Sequence, residues 1–257
     1  MKAVYISLLV LFLISLTSFV TGLQTENSVL PNAFDWRDHG VVTPAKSQMD
    51  CNACGAFASV ALFESAIARA TGVLVDLSEQ EIMDCAYDEE CAIGGGIFTG
   101  SKYMTSVGLA LESVLPFANA DCACPAELFR AYILTETVCV PIDGLPLEER
   151  IDSMKRGLLE YGPVATNMHA DEFFAYEYDG MDVYVDGGES PECGSHNVLV
   201  VGWVDDEAIP SGGYWICKNS WGRHWGHGGF FYIAYGEQHV DDYFFMRAVY
   251  APDEVDG

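Results

Sequence analysis

Two cysteines stand three positions apart in the stretch MDCNACGAFAS, at the start of an alanine-rich apolar run. A pair with this spacing can be a redox couple, half of a zinc site, or a disulfide cysteine beside a nucleophile. A redox couple would need a βαβ context, but the preceding VVTPAKSQ is turn-like. Zinc would need a second ligand pair, and the spacing of Cys122 and Cys124 is tight. We therefore favour Cys54 as a nucleophile.

The surroundings of Cys54 fit this chemistry. The segment from Cys54 to Thr71 is apolar on nearly every face and ends before Gly72, which predicts a buried helix. Unpaired backbone N–H groups at the start of such a helix favour a thiolate. A thiolate nucleophile also needs an imidazole and a group that orients it. His196 leads into an apolar strand, and the Asn219 amide can fix the tautomer of its ring.

The elements that must hold these residues change character along the chain. SEQE at Ser78 is a capping box, and IFTGSKYMTSVG and LEERIDSMKRGLLEYG predict two further helices. The second half turns to the β-branched and aromatic runs HNVLVVGWV, GYWICKNSW, GGFFYIAY and RAVYAP, which predict strands. A helical half followed by an antiparallel half predicts an α+β chain with two lobes and a cleft between them.

Composition limits the possible partners. The chain carries 12 Lys and Arg against 38 Asp and Glu, a net charge of −26. Such a surface repels nucleic acid and anionic membranes, so we expect neither as a partner. Nine cysteines imply disulfides, and because the number is odd, at least one thiol is left over.

The first residues have the composition of a targeting segment. Lys2 is followed by an uncharged run from Val4 to Val20 and then by small residues. We predict a secretory signal peptide over residues 1–22, with an uncleaved membrane anchor as the alternative. Residues 23–30 would then be a short linker, and we expect no stable membrane association after cleavage.

Four segments together resemble papain-like cysteine proteases of the cathepsin L type: FDWRDHGVVTPAKSQMDCNACGAFA, LSEQEIMDC, CGSHNVLVVGW and YWICKNSWGRHWGHGGFFYIAYG. The resemblance covers Pro31 to Tyr250. It implies a papain-like two-lobed fold over residues 31–257, with a helical lobe over about 31–140 and an antiparallel, barrel-like β lobe over about 141–250. It implies no cofactor and no metal.

The resemblance also assigns roles. It makes Cys54 the nucleophile, His196 the base, Asn219 the orienting amide and Gln48 an oxyanion-hole donor. Trp221 and Trp225 would shield the Asn–His pair. The substrate-binding residues that it implies are Gly95, Gly96, Ile97, Phe98, Asn167, Gly194, Trp221 and Arg247. It pairs Cys51 with Cys91, and Cys85 with Cys122 or Cys124, of which we predict Cys122.

The chain departs from the family pattern at several positions. Gly55 stands where the family has Trp, which we expect to open space beside the thiol, and Asn52 would intrude on the substrate side. We see no long propeptide before the mature-like sequence. Asp242 stands where the usual partner of Cys193 would be. Arg247 at the floor of the S2 pocket would favour acidic or polar P2 residues, with a one-residue shift to Met246 as the alternative.

These features predict a secreted or lysosomal-type thiol endopeptidase. The alternative is a papain-fold protein with little turnover that acts as a binding or structural module. We expect protein or peptide substrates, inhibitors of the cystatin type and a monomer. The location would be extracellular or a digestive vacuole.

Overall fold

The helix that begins at Cys54 contributes more residues to the first hydrophobic core than any other element does. In the computed structural model, helix α1 covers Cys54–Thr71 and is buried from Gly55 to Ala68. Gly72 ends it in the left-handed conformation, with φ at 74°, and donates its N–H to the Ala68 carbonyl. The predicted buried helix and its glycine stop are confirmed, since only a residue without a Cβ adopts this φ without strain.

Four more helices follow in the part of the chain that the structure describes. Helix α2 covers Glu79–Cys85, and its N-cap Ser78 accepts a hydrogen bond from the Glu81 N–H at 3.0 Å, as the capping box predicts. Helix α3 covers Ile97–Ser106, α4 covers Leu147–Tyr161 and α5 covers Glu172–Tyr176. Short 3-10 turns lie at Trp36–His39, Pro210–Gly212 and Glu237–His239.

Eight strands form one sheet among the described residues. They are β1 Ala33–Asp35, β2 Glu136–Pro141, β3 Val164–Asp171, β4 Val183–Tyr184, β5 Glu192–Asp205, β6 Gly213–Lys218, β7 Phe230–Ala234 and β8 Phe244–Val249. The order is β2-β8-β3-β5-β6-β7-β4, and β1 adds to β5. The neighbours are antiparallel except β4 and β7. The predicted α+β class is confirmed.

The sheet separates two hydrophobic cores. Because strand side chains alternate, Leu199 and Ile216 face the core built around α1, whereas Val200 and Cys217 face a second core that includes residues of α4. Strands β5 and β6 thus belong to both cores. This arrangement places the start of α1 against the strand that carries His196.

A buried ionic cluster joins the first half of the chain to the sheet. Lys218 Nζ, at the end of β6, donates to Thr43 Oγ1 at 2.8 Å. Thr43 donates in turn to a carboxylate oxygen of Glu64 on α1. Lys46 Nζ lies 2.5 Å from Glu79 Oε2 and 3.8 Å from Glu64 Oε1. Thr43 and Lys46 lie shortly before Gln48, and Lys218 lies directly before Asn219. The cluster therefore holds the segment that carries Gln48 against the segment that carries Asn219.

The structure describes residues 29–87, 91–185 and 191–252. The predicted signal peptide over 1–22 and all but the end of the linker over 23–30 lie outside these residues. Strands β1 and β2 lie within the predicted helical lobe, yet they pair with β5 and β8. Over the described ranges, no helix is both long and apolar enough to cross a membrane.

Candidate active site

The Cys54 sulfur lies at the first residue of α1 and is half-buried. Burial by itself would raise the pKa of this thiol. The hydrogen bond and positive charge of His196 oppose burial and, with hydrogen bonds from Asn197, lower the pKa to about 7 from an ordinary 9.0. Cys54 therefore forms a thiolate more readily near neutral pH than an unperturbed cysteine does.

His196 on β5 is oriented by Asn219. The Ser220 backbone N–H donates to Asn219 Oδ1 at 2.8 Å, which identifies that atom as the amide oxygen. His196 Nε2 lies 2.8 Å from the same oxygen, so Nε2 must carry a proton. Nδ1 is then the ring nitrogen left to pair with Cys54. The Trp221 ring packs on the imidazole with centroids 5.1 Å apart.

The histidine is poised to be the cationic partner of the sulfur. Burial would lower the pKa of His196, but its hydrogen bond to Cys54, the negative charge of that sulfur and the Asn219 contact raise it. Each group thus favours the charged form of the other, and the two titrate as a pair. The arrangement can supply both a nucleophile and a proton.

Gln48 lies on the same cleft, before α1. Its backbone N–H donates to the Ser220 carbonyl at 2.7 Å, and its side-chain oxygen accepts from Ser220 Oγ. Its Nε2 donates to the Cys51 carbonyl at 2.8 Å. An amide nitrogen has two N–H groups, so one remains for another acceptor. The first N–H groups of α1, including that of Cys54, have no partner within the helix.

The cleft above these residues has a volume of about 690 Å³. Cys54, His196 and Gln48 line it, while Asn219 is buried behind His196. The predicted substrate-binding residues that line it are Gly95, Gly96, Ile97, Phe98, Asn167, Gly194 and Trp221. Sequence reasoning missed further lining residues, among them Ala170, Tyr176 and Phe244. Trp225 packs on the side of Trp221 away from the cleft, with the two ring centroids 4.9 Å apart.

The prediction that Arg247 forms the pocket floor is wrong. On β8, Ala165 pairs with Met246, so the antiparallel register brings Phe244 beside Asn167. Phe244 lines the cleft and packs against Phe98, with the two ring centroids 4.8 Å apart. Arg247 is three residues after Phe244, and because strand side chains alternate, it lies on the opposite face of β8 from Phe244. Its guanidinium stacks on Tyr161, 3.7 Å from the ring centroid.

The space expected beside the thiol at Gly55 is filled. A Cβ at Gly55 would lie 1.9 Å from the Gly95 carbonyl oxygen and 3.0 Å from Tyr87 Oη. The Tyr87 ring packs against Gly95, and its hydroxyl donates to the Gly96 carbonyl at 3.2 Å. Loss of the family Trp is therefore accompanied by close backbone packing and a buried tyrosine. Nothing in the local sequence indicated this role for Tyr87.

Two disulfides frame the site. Cys51 is bonded to Cys91, as expected, and this bond leaves Cys54 free. Cys85 is bonded to Cys124, with Cα atoms 4.8 Å apart, so the choice of Cys122 is wrong. The backbone N–H of Cys122 donates to Asp84, and its side chain is exposed. The other free cysteines are Cys139, Cys193 and Cys217.

A family model described as papain family cysteine protease matches residues 30–249. The chain belongs to this family. The predicted resemblance and the papain-like two-lobed fold are thereby confirmed.

Curated relatives in the papain family agree. "Probable cysteine protease RD19B" from Arabidopsis thaliana is 34% identical over 234 residues, covering 83% of this chain and 60% of the relative. "Cathepsin L" from Sarcophaga peregrina is 33% identical over 223 residues, covering 83% of this chain and 62% of the relative. The chain thus spans about 60% of the length of these relatives.

Solved structures in the family share the fold. The bromelain protease from Ananas comosus, solved in complex with the E64 inhibitor, has a TM-score of 0.70 at 28% identity. That match covers 86% of this chain and all of the other. Digestive procathepsin L 3 from Tenebrio molitor has a TM-score of 0.71 at 24% identity, over 88% of this chain and 72% of that one. The second similarity concerns the fold alone.

Proposed function

We propose that this papain family member is a thiol endopeptidase that hydrolyses peptide bonds with Cys54, His196, Asn219 and Gln48. The single observation that carries the proposal is the series of contacts in which His196 lies between Cys54 and Asn219, with His196 Nε2 2.8 Å from Asn219 Oδ1. The same contacts with His196 lower the pKa of the thiol to about 7. The proposed substrates are proteins or peptides that lie along the residues lining this cleft.

The acylation step uses the ion pair. The Cys54 thiolate attacks the scissile carbonyl carbon, an S–C bond forms, and negative charge develops on the carbonyl oxygen. Gln48 Nε2 and the Cys54 backbone N–H hold this oxygen, each contributing on the order of 3 kcal/mol. The C–N bond then breaks, and the His196 Nδ1 proton passes to the leaving amine.

The deacylation step restores the pair. Neutral His196 takes a proton from water through Nδ1, and the hydroxide attacks the acyl carbon. The C–S bond breaks, the product acid leaves, and Cys54 is again a thiolate beside an imidazolium. Asn219 keeps the imidazole plane and its Nε2 proton fixed throughout both steps, because Nδ1 must be the nitrogen that exchanges the proton.

We further propose a secreted or lysosome-like location, cystatin-type inhibitors and a monomeric state. The signal-like segment and the cathepsin among the relatives support the location. The open rim of the cleft, with exposed Phe98 and Tyr176, gives a wedge-shaped inhibitor an apolar surface to contact. The localisation of the tagged full chain tests the location, and the mass of the purified protein in solution tests the monomeric state.

Peptide hydrolysis by the purified protein tests the proposal. The expected result is cleavage of a fluorogenic peptide mixture that is lost in Cys54→Ser and retained in Cys122→Ser, since Cys122 is a free and exposed cysteine that does not line the cleft. A wild-type protein that binds peptides without cleaving them would contradict the proposal and favour a binding module.

A further inference from the structure

The thiol has a second side-chain partner, Asn197. This residue follows His196 on β5, is 8% exposed and lines the cleft. Its Nδ2 donates to Cys54 Sγ at 3.4 Å, which is hydrogen-bond distance for a sulfur acceptor. The mechanism described above assigns no role to this contact.

The direction of the Asn197 amide follows from its neighbours. The His196 backbone carbonyl can only accept, and Asn167 Nδ2 lies 3.4 Å from it, which identifies that atom as the donor end of Asn167. The same Nδ2 lies 3.3 Å from Asn197 Oδ1 and 2.6 Å from Ser195 Oγ. With its oxygen held by Asn167, the Asn197 amide directs its N–H groups toward the sulfur.

The charged and titratable groups around this contact come from three sides. His196 from β5 hydrogen-bonds to the sulfur. Burial and the charge of the sulfur both raise the pKa of Tyr87, which comes from the segment after α2. Behind Asn197, a small cavity is lined by Lys46, Glu79 and Lys218 of the ionic cluster. Asn197 itself does not titrate, so its N–H offers the sulfur the same partner at every pH.

We propose that Asn197 is a catalytic residue that binds the Cys54 thiolate directly, held in position by Asn167. The proposal rests on the proposed function of this site. A hydrogen bond to an ionised acceptor is stronger than one to a neutral acceptor, so Asn197 favours the thiolate over the thiol. When sulfur bonds to the substrate carbon it loses its negative charge, and the Asn197 contact weakens.

The pH profile of Cys54 alkylation tests the proposal. Iodoacetamide modification is followed by peptide mapping from pH 4 to 10 in wild type and variants. Asn197→Ala should move the acid-side midpoint up by about one pH unit, which is about a tenfold loss of rate below the midpoint. Asn197→Asp should move it further, because a carboxylate beside the sulfur opposes the thiolate.

Two variants at neighbouring positions make the test specific. Asn167→Ala frees the Asn197 amide to rotate and should shift the midpoint in the same direction by less. Asn52→Ala removes an amide of the same cleft that donates to the Ala92 carbonyl at 2.6 Å, leaves the Asn167–Asn197 contact in place and should keep the wild-type midpoint. Thermal unfolding shows whether each variant is folded. If Asn197→Ala does not fold, Asn167→Ala is the variant that tests the proposal.

The outcomes separate this proposal from the proposed function. Wild-type midpoints in Asn197→Ala, Asn197→Asp and Asn167→Ala, beside an activated wild-type Cys54, would overturn the Asn197 role alone. A wild-type Cys54 that titrates like an ordinary thiol would overturn both. Activated Cys54 without peptide cleavage would overturn the proposed function, while a midpoint shift in Asn197→Ala would still support the thiolate contact.

Discussion

Cys54 and Cys193 line the same cleft in different electrostatic surroundings. Burial raises the pKa of Cys54, but the contact with His196 outweighs it. For Cys193, burial and then the carboxylates of Glu172 and Asp171 all raise the pKa. The two thiols thus differ because only one of them faces an imidazolium.

This difference predicts two alkylation profiles in one protein. Thiolate forms as pH rises through the pKa, so Cys54 should reach half of its maximal rate near pH 7. Cys193 should do so above the ordinary 9.0. Alkylation with peptide mapping measures both at once. Coincident midpoints for the two cysteines would contradict the assigned surroundings.

The motifs around Cys54, His196, Asn219 and Gln48 were sufficient to predict that these residues meet. Asn197 was missed because its role depends on the orientation of Asn167, which lies on a different strand. A polar residue at the start of the apolar run HNVLVVGWV was the one available signal. A side chain's contacts across strands cannot be read from its own segment.

Among the helices, an end signal located one end of each of two: Gly72 marks where α1 ends, and Ser78 marks where α2 begins. Strands β1 to β4 were missed. Strand β3 carries polar residues in the segment VATNMHAD, and β4 has only two residues. Their pairing comes from neighbouring strands, so the local pattern does not reveal it.

The close approach between α1 and the Gly94–Gly96 segment predicts an intolerant glycine. Gly55→Ala would place a Cβ 1.9 Å from a backbone oxygen, which forces one of the two segments to move. We expect a loss of about 1–3 kcal/mol in the free energy of unfolding. Gly96→Ala is the matched control, because its Cβ would meet nothing within 4 Å. Equal stabilities by urea unfolding would contradict this packing.

The alternation of β8 predicts which residue sets the P2 preference. Phe244→Ala enlarges the apolar pocket beside Phe98 and should change the ratio of kcat/KM for large against small P2 residues by about tenfold. Arg247→Ala, on the opposite face, should leave that ratio within about twofold. A peptide library with varied P2 measures both. Loss of acidic P2 selectivity in Arg247→Ala would contradict the register.

At the scale of the whole molecule, composition predicted an acidic protein but not where its carboxylates lie. Glu64, Glu79 and Glu81 are buried, although the chain carries many surface acids. Glu64 lies in the buried and mainly apolar part of α1. Glu64 can be buried because Lys46 and the Thr43 hydroxyl, from a different segment of the chain, lie beside its carboxylate. The sequence of α1 alone therefore does not indicate it.

The ionic cluster behind Asn197 predicts a large stability effect. Lys218→Ala removes a buried cation beside Glu64 and Thr43 and should cost about 3–5 kcal/mol in the free energy of unfolding. Arg156→Ala breaks an exposed pair with Asp152 and should cost at most about 1 kcal/mol. Urea unfolding compares them. A Lys218→Ala loss no larger than that of Arg156→Ala would contradict the joining role of the cluster.

The activation of Cys54 by His196 is tested most directly by a peptidyl epoxide at pH 6, with the modified residue located by peptide mapping. We expect one modification per molecule, at Cys54, and a reaction that is at least about 100-fold slower in His196→Ala. His39→Ala, which changes an exposed histidine outside the cleft, should react like wild type. Equal rates of Cys54 labelling in wild type and His196→Ala would contradict the activation of Cys54 by His196.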